Sequence, residues 1–200
     1  MAYVKLVVTG PFNAGKTLLI NTVNEIRGVN TDVDTDAGSH IKQQTTVAMD
    51  FGRVTLPNGT SLHLVGTPGQ RRFAFMWETL VIECNGILML VDSSDPTRLA
   101  DAGLMFDFFA ARANGVSMFV VANKQDLPGA LSPDEVSRAL NLVGPGRAGR
   151  AVALLPIPGC VACDRSSVLS VLETITPYLT IDSHDAQHSL QNRLGAVHIK

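Results

Sequence analysis

The chain has 200 residues, of which 46% are hydrophobic and 17% are charged, and its formal net charge is −2. This length and apolar content suit one globular domain with a buried core, and they exclude a disordered chain. The near-neutral charge balance excludes the broad basic surface that follows nucleic acid, so a bound anion would need a local site.

The cysteines and the chain ends bear on the cellular compartment. Cys84, Cys160 and Cys163 are too few for a disulfide framework, and no signal peptide is recognisable. No apolar run reaches the length of a membrane span, and the sequence shows neither a myristoylation glycine after Met1 nor a prenylation cysteine at its end. We therefore expect a cytoplasmic protein without a direct membrane anchor.

The first part of the chain predicts a strand, a helix, a long loop and a hairpin. The β-rich residues 3–10 are followed by a helical pattern over 16–28 that ends in glycine. Residues 29–45 are polar without periodicity, which predicts a loop. Apolar residues then alternate over 46–56 and 61–66, and "PNGT" between them signals a tight hairpin turn.

Helices and strands alternate along the rest of the chain. The predicted elements are helix 71–85, strand 86–92, helix 96–114, strand 116–124, a short helix from Ser132, strand 151–157 and helix 166–179. This order predicts an α/β fold, with a six-stranded, mostly parallel sheet that has one antiparallel hairpin strand and helices on both faces. We expect residues 1–180 to form one domain and residues 181–200 to form a polar, flexible tail.

The stretch "GPFNAGKT" matches the phosphate-binding pattern G-x-x-x-x-G-K-[ST]. It lies between a predicted strand and a predicted helix, where backbone N–H groups and the helix N-terminus can hold phosphate. Lys16 would contact the β- and γ-phosphates, and the Thr17 hydroxyl would be a ligand of Mg²⁺. An ordinary glycine turn before a helix is the alternative. The residues predicted here to bind the nucleotide are Gly10, Asn13, Ala14, Gly15, Lys16 and Thr17.

The tetrapeptide "NKQD", residues 123–126, follows a predicted buried strand and indicates which base is bound. The Asp126 carboxylate can accept hydrogen bonds from N1–H and the exocyclic amine of guanine together. Adenine lacks this pair of donors and would leave the carboxylate unpaired. Asn123 would fix the loop, and the stem of Lys124 would cover the base.

With these motifs, the chain resembles a Ras-superfamily small GTPase over roughly residues 3–179, which implies the P-loop G-domain fold. "TTVAMDFG" is similar to the Rab and Arf switch I pattern and "GTPGQ" to the switch II pattern D-x-x-G-Q, whereas "VDSSD" and "NKQDLPGAL" resemble Arf proteins. "GTPGQRRFAFMW" is most similar to the MglA-like gliding-polarity GTPases and the GTPases of actinobacterial conservon operons. "CVAC" falls where the family has its base loop, which implies that Val161 and Ala162 lie at the base and that the Ala162 N–H meets the guanine oxygen.

The resemblance also implies a cofactor pair, GTP/GDP and Mg²⁺, and roles in the switch loops. Thr46 would be a ligand of Mg²⁺ and contact the γ-phosphate, with Thr45 as the weaker candidate. The Gly69 N–H would contact the γ-phosphate, and Gln70 would orient the attacking water, so Gln70, Lys16 and Thr46 are the expected catalytic residues. The implied partners are a roadblock-type regulator and an effector protein.

This sequence departs from the family at Gly66, where the family has the switch II aspartate that supports Mg²⁺. Its loss should weaken Mg²⁺ binding or require another carboxylate. One of the aspartates of the 29–45 loop could supply it; the candidates are Asp32, Asp34 and Asp36. A calcium site in that loop is disfavoured, because an EF-hand needs glycine and glutamate where Ala37 and Gln43 stand.

Other departures concern the surroundings of the phosphates. Phe12 replaces a small residue, and we hypothesise that its ring crowds the path of an arginine finger from an activating protein. Arg71 and Arg72 could supply charge in cis, although a solvated or partner-facing position is the favoured interpretation.

The C-x-x-C formed by Cys160 and Cys163 has no second pair, which disfavours a zinc or redox site.

Three functions remain open at this stage. The leading one is a switch that hydrolyses GTP slowly to GDP and phosphate. The second is a GTP-binding scaffold with weak or partner-dependent hydrolysis, as Gly66 hints. A P-loop kinase or ATPase is disfavoured by "NKQD" and by the switch residues.

Overall fold

The computed structural model describes residues 3–26, 49–113, 116–142 and 157–179. The strands are β1 Tyr3–Thr9, β2 Phe51–Thr55, β3 Ser61–Gly66, β4 Gly86–Asp92, β5 Ser117–Asn123 and β6 Gly159–Cys160. The α-helices are α1 Lys16–Val23, α2 Ala74–Val81, α3 Leu99–Arg112, α4 Pro133–Ala139 and α5 Arg165–Ile175. Short 3-10 helices lie at Arg71–Phe73, Pro96–Arg98 and Thr176–Tyr178.

The strands form a six-stranded sheet in the order β2-β3-β1-β4-β5-β6. β2 pairs antiparallel with β3 through the predicted hairpin, and the other pairings are parallel. The carboxyl ends of β1, β4 and β5 therefore meet at one edge of the sheet, where ligands bind in open α/β folds. The predicted α/β class, with six strands and one antiparallel hairpin strand, is confirmed.

Helices cover both faces of the sheet, and the side chains of each strand alternate between them. In β1, Leu6 and Val8 pack in an apolar cluster with residues of α1 and α5, whereas Val7 packs in a second cluster with residues of α3. β4 is buried at every position, because a central parallel strand covered on both faces has no solvent side. Its sequence is therefore an unbroken apolar run rather than an alternating one.

The aromatic residues around the start of α2 divide between core and surface. Trp77 is 3% exposed, and its indole N–H donates to the Pro68 carbonyl at 2.8 Å. Phe75, two residues earlier, is 72% exposed, while Phe73 and Met76 are half-buried. Buried indole N–H groups need a partner, so Trp77 ties α2 to the loop that follows β3.

Helix α1 ends at Val23, before the glycine at which the sequence pattern predicted its end. The next residue, Asn24, is extended, and its side-chain oxygen accepts from the N–H groups of Ile26 at 3.1 Å and Arg53 at 3.0 Å. The Glu25 N–H then donates to the Arg53 carbonyl at 2.8 Å. The chain leaves the helix because residues 24–26 hydrogen-bond to β2, a tertiary contact that helical periodicity does not encode.

Two other predicted boundaries also shift. Helix α2 ends at Val81 instead of residue 85, because Ile82 is extended and Glu83 has a left-handed backbone with φ 56°. The last predicted strand lies mostly outside the described residues, and the described strand, β6, begins after its predicted end and pairs with the end of β5.

Candidate functional site

The phosphate loop connects β1 to α1 with a backbone that few residue types adopt. Gly10, Asn13 and Gly15 have positive φ angles of 140°, 66° and 98°. A side chain on Gly10 would overlap the backbone carbonyl of Leu90 in β4, so only glycine lets the loop pass this close. The loop leads directly into α1, which starts at Lys16. The first N–H groups of an α-helix have no partner within the helix, so a helix N-terminus at this place can bind an anion.

Lys16 lies across this loop with its ammonium group largely buried. Its Nζ donates to the carbonyls of Gly10 at 2.8 Å and Pro11 at 2.7 Å. Burial lowers the pKa of Lys16 to about 8, and the charge of Asp50 opposes that shift. An ammonium group held by neutral carbonyls keeps its positive charge available for an anion, and removal from water strengthens that interaction.

A cleft of about 420 Å³ opens at this point. It is lined by residues of the phosphate loop and α1 together with Asp50, the segment 67–69 and Lys124. The cleft lies at the carboxyl ends of β1 and β5. It thus brings together two sequence motifs, "GPFNAGKT" and "NKQD", that stand more than a hundred residues apart.

Asn123 joins the phosphate loop to the base loop. It is 1% exposed, its amide nitrogen donates to the Ala14 carbonyl at 2.8 Å, and its oxygen accepts from the Ala162 N–H at 3.0 Å. A buried side-chain amide bonded at both ends fixes the loops it connects. These contacts are of the kind that the role expected for Asn123, fixing the loop, requires, and that role stays a prediction.

Lys124 is held by a residue that the sequence analysis did not single out. Its Nζ lies 2.6 Å from a carboxylate oxygen of Asp92, a buried residue at the end of β4. Burial works against the charge of Asp92, yet hydrogen bonds from Lys124 and Ser94 outweigh burial and lower the pKa of its carboxyl. The signal was present in "VDSSD", because an aspartate that ends an apolar strand beside the predicted base loop faces the same edge of the sheet.

The remaining residues predicted to contact the base are Asp126, Val161 and Ala162. Asp126 is exposed, so its carboxylate is accessible as an acceptor. The Val161 N–H donates to the Ser167 hydroxyl at 2.9 Å, and the Ala162 N–H donates to Asn123. A contact between the Ala162 N–H and a guanine oxygen therefore stays a prediction, one that requires this hydrogen bond to be shared or replaced.

Also in the lining of the cleft, the Thr17 hydroxyl donates to a carboxylate oxygen of Asp50 at 2.5 Å. Asp50 directly precedes β2, and its carbonyl accepts from the Gly66 N–H at 2.8 Å, which extends the β2–β3 pairing by one step. Asp50 was not predicted as a site residue, although it lies within "TTVAMDFG". Only the register of the β2–β3 hairpin shows that Asp50 stands opposite Gly66.

The residues after β3 lie close against the phosphate loop. A Cβ atom on Gly69 would stand 2.7 Å from Lys16 Nζ and 2.7 Å from the Phe12 backbone nitrogen. Gln70 follows with intermediate exposure, and the Phe12 ring lines the cleft while 56% exposed. The predicted γ-phosphate residue, Gly69, thus borders the predicted phosphate site, and Gln70 is the next residue along the chain.

Several predicted residues lie outside the described ranges. They include Thr45 and Thr46, the three aspartates proposed as substitutes for Gly66, and the tail over 181–200. The side chain of Arg71 is not described either. Arg72 is exposed, and its guanidinium lies 4.7 Å from the ring centre of Phe73.

Further findings concern helices and thiols. In the described part of the chain, no helix is both long and apolar enough to cross a membrane. The three cysteines are free thiols, with Cys84 and Cys160 buried and Cys163 exposed.

Comparison with known proteins identifies the family. The model of the ADP-ribosylation factor family matches residues 2–179. ADP-ribosylation factor-like protein 2 of Arabidopsis thaliana is 31% identical over 141 residues, which is 69% of each chain. ADP-ribosylation factor-like protein 5 of Caenorhabditis elegans is 29% identical over 176 residues, covering 86% of this chain and 88% of that protein.

A solved structure supports the fold. The Trypanosoma brucei small GTPase Arl6 (BBS3), solved with the nucleotide analogue GppNp, superposes with a TM-score of 0.66 at 20% identity, covering 88% of this chain and 97% of that one. The match to the family model spans all of the described residues and includes both loops that meet at the cleft. The chain therefore belongs to the ADP-ribosylation factor family and is a small GTPase, a molecular switch that binds guanine nucleotide and hydrolyses GTP.

Proposed function

We propose that this GTPase uses Mg²⁺ and turns over GTP slowly at the cleft between α1 and the residues after β3. The observation that carries the proposal is the meeting of Lys16, Thr17 and Gly69 around one cleft, with Asp50 beside them. The Thr17 hydroxyl and the Asp50 carboxylate are hard oxygen donors of the kind that Mg²⁺ prefers. Bound there, Mg²⁺ would neutralise charge on the phosphates.

In this mechanism the chain positions the reactants and forms no covalent intermediate. The phosphate loop and Lys16 hold the β- and γ-phosphates, and Lys16 stabilises the charge that develops on the transferring group. Gln70 orients the attacking water, and the Gly69 N–H contacts the γ-phosphate. Thr46 completes the proposed set as a ligand of both Mg²⁺ and the γ-phosphate.

Guanine selectivity in this proposal comes from the base loop. Asp126 accepts from the two guanine donors, and the stem of Lys124 covers the base while Asp92 fixes its ammonium group. In the second loop at the base, "CVAC", we propose that Val161 and Ala162 contact the guanine. Adenine would leave the Asp126 carboxylate without its donors, which costs binding free energy.

The nucleotide state would be read by partner proteins. Loss of the γ-phosphate would release the segments that contain Thr46 and Gly69, an order–disorder change that a partner can sense. We propose an effector and a roadblock-type regulator as these partners, within the cytoplasm. We also propose that the protein belongs to the narrower group of MglA-like and conservon GTPases, because "GTPGQRRFAFMW" resembles their switch II segment.

A single-turnover assay on GTP-loaded protein tests the proposal. We expect slow phosphate release that requires Mg²⁺, and we expect Gln70→Leu to slow it by about 10-fold or more. Thr79→Ala, an exposed position on α2, is the control and should leave the rate unchanged. GTP that stays bound and intact in the unmodified protein would instead favour the scaffold function, and a preference for ATP would contradict both.

A further inference from the structure

Position 66 has no room for a side chain, and this explains the glycine there. The backbone of Gly66 is not left-handed, so its conformation does not call for glycine. What excludes a side chain is space, because a Cβ atom there would stand 2.9 Å from Asp50 Cβ and 3.1 Å from Ile20 Cδ1. The volume into which a residue at this position would project is therefore occupied by Asp50.

Asp50 is also fixed in place by its neighbours. Its carbonyl accepts from the Gly66 N–H at 2.8 Å, and its carboxylate accepts from the Thr17 hydroxyl at 2.5 Å. A hydroxyl that donates its proton to a carboxylate keeps its lone pairs free for a cation. Hydrogen bonds of this kind orient metal ligands and strengthen them.

The charge of the cleft supports the same assignment. Asp50 is the one carboxylate among the described residues that line the cleft, alongside the ammonium groups of Lys16 and Lys124. A carboxylate beside a phosphate site repels the ligand unless a cation lies between them. Its position next to Thr17, the predicted metal ligand, supplies a place for that cation.

We propose that Asp50 supports Mg²⁺ in this protein, in place of the aspartate that the family carries at the position of Gly66. The carboxylate has moved from the end of β3 to the residue before β2, across one step of the hairpin, and the side chain at position 66 has been reduced to hydrogen to make room. This inference rests on the proposed use of Mg²⁺ with guanine nucleotide. It also replaces the earlier expectation that the 29–45 loop supplies the missing carboxylate.

The test measures release of a fluorescent GDP analogue as a function of free Mg²⁺, which does not depend on hydrolysis. Asp50→Asn keeps the size of the side chain and removes its charge. We expect the Mg²⁺ concentration that half-suppresses release to rise by about 10- to 100-fold. In excess EDTA the variant and the unmodified protein should release GDP equally fast, because the carboxylate acts through the metal. Asp134→Asn, which removes an exposed charge on α4, should change neither quantity.

Exchange of the two residues provides a second test. Asp50→Gly with Gly66→Asp returns the carboxylate to the family position and removes the atoms that exclude it, leaving only the flexible end of Ile20 to move. We expect the Mg²⁺ midpoint to return toward that of the unmodified protein, whereas Asp50→Gly alone should behave like Asp50→Asn. This series also provides the measurement if Asp50→Asn does not fold.

The outcomes separate the two proposals. An unchanged Mg²⁺ midpoint in Asp50→Asn would overturn the assignment, as would an equal acceleration of release with and without Mg²⁺, which indicates a purely structural role. If the unmodified protein binds no GDP analogue, or binds it without any response to Mg²⁺, the proposed function itself fails.

Discussion

At the scale of single residues, the site depends on side chains that neutralise or hold one another. Asp92 holds Lys124 at 2.6 Å from a buried position at the end of β4, and Asn123 joins two loops from within the core. Neither pair is close in sequence. These contacts form only when the carboxyl ends of the parallel strands lie side by side, so they depend on the tertiary structure.

Replacing Asp92 tests the base side of the site. Asp92→Asn would leave the partly buried Lys124 ammonium group without its charged partner, and we expect GDP affinity to fall by about 10-fold. Titration calorimetry with GDP measures the affinity. Folding also lowers the pKa of Asp92. The contribution of this carboxylate to stability is therefore present above its pKa in the unfolded chain, about 3.9, and is lost as pH falls through its pKa in the folded protein. Asp101→Asn, at an exposed pair on α3, is the control, and equal loss in both variants would contradict the prediction.

Thiol labelling tests the burial of the cysteines. Burial raises the pKa of Cys160 to about 11 and also raises that of Cys84, whereas Cys163 is exposed. We expect a maleimide at neutral pH to label Cys163 rapidly in the folded protein and all three thiols after denaturation. Mass spectrometry of the labelled peptides identifies the sites, and rapid labelling of Cys160 in the folded protein would contradict its placement in β6.

At the scale of elements, the ends of helices and strands are set by tertiary contacts. Asn24 ends α1 by bonding to β2, and Glu25 follows with its carboxylate accepting from the Thr55 N–H and hydroxyl, each at 3.0 Å. The capping box of α4, in which Ser132 and Glu135 exchange hydrogen bonds, is a local signal instead, and the sequence predicted that start correctly. Local caps can therefore be predicted from sequence, while long-range ones cannot.

A substitution at the end of α1 tests this difference. Asn24→Ala would remove the bonds to Ile26 and Arg53, and we expect the free energy of unfolding to fall by about 1 kcal/mol. Asn21→Ala is the control, because Asn21 is exposed inside the helix, where alanine is the better helix former. Urea denaturation at fixed GDP and Mg²⁺ measures both, since bound ligand adds to stability. A loss in Asn21→Ala equal to that in Asn24→Ala would show that the contacts to β2 contribute nothing.

At the scale of the whole molecule, two apolar clusters pack on opposite faces of the sheet. Phe106 and Phe109 of α3 are 1% and 0% exposed, and they pack with Trp77 of α2 in the same cluster. The exposed Phe75 belongs to neither cluster. We therefore expect the buried aromatic residues to contribute more to stability than the exposed Phe75.

Truncating one buried and one exposed phenylalanine tests that division. Phe106→Ala should lower the free energy of unfolding by about 3 to 5 kcal/mol, because it leaves a cavity in the cluster. Phe75→Ala should change it by less than about 0.5 kcal/mol. Both values come from urea denaturation at the same GDP and Mg²⁺ concentrations. A large loss in Phe75→Ala would mean that α2 packs differently from the structure.

The sequence by itself determined the class of fold, and it predicted where the phosphate loop and the guanine-type base loop lie. The fold class depends on the spacing of apolar residues along helices and strands. The loops depend on sequence motifs that contain glycines with positive φ angles, such as Gly10 and Gly15. The tertiary structure alone decided which carboxylates lie beside these loops. Strand register brings Asp50 to the cleft, and strand order brings Asp92 to Lys124. A one-residue change of register would turn a side chain to the opposite face. Such pairings join residues far apart in the chain, and no local pattern records them.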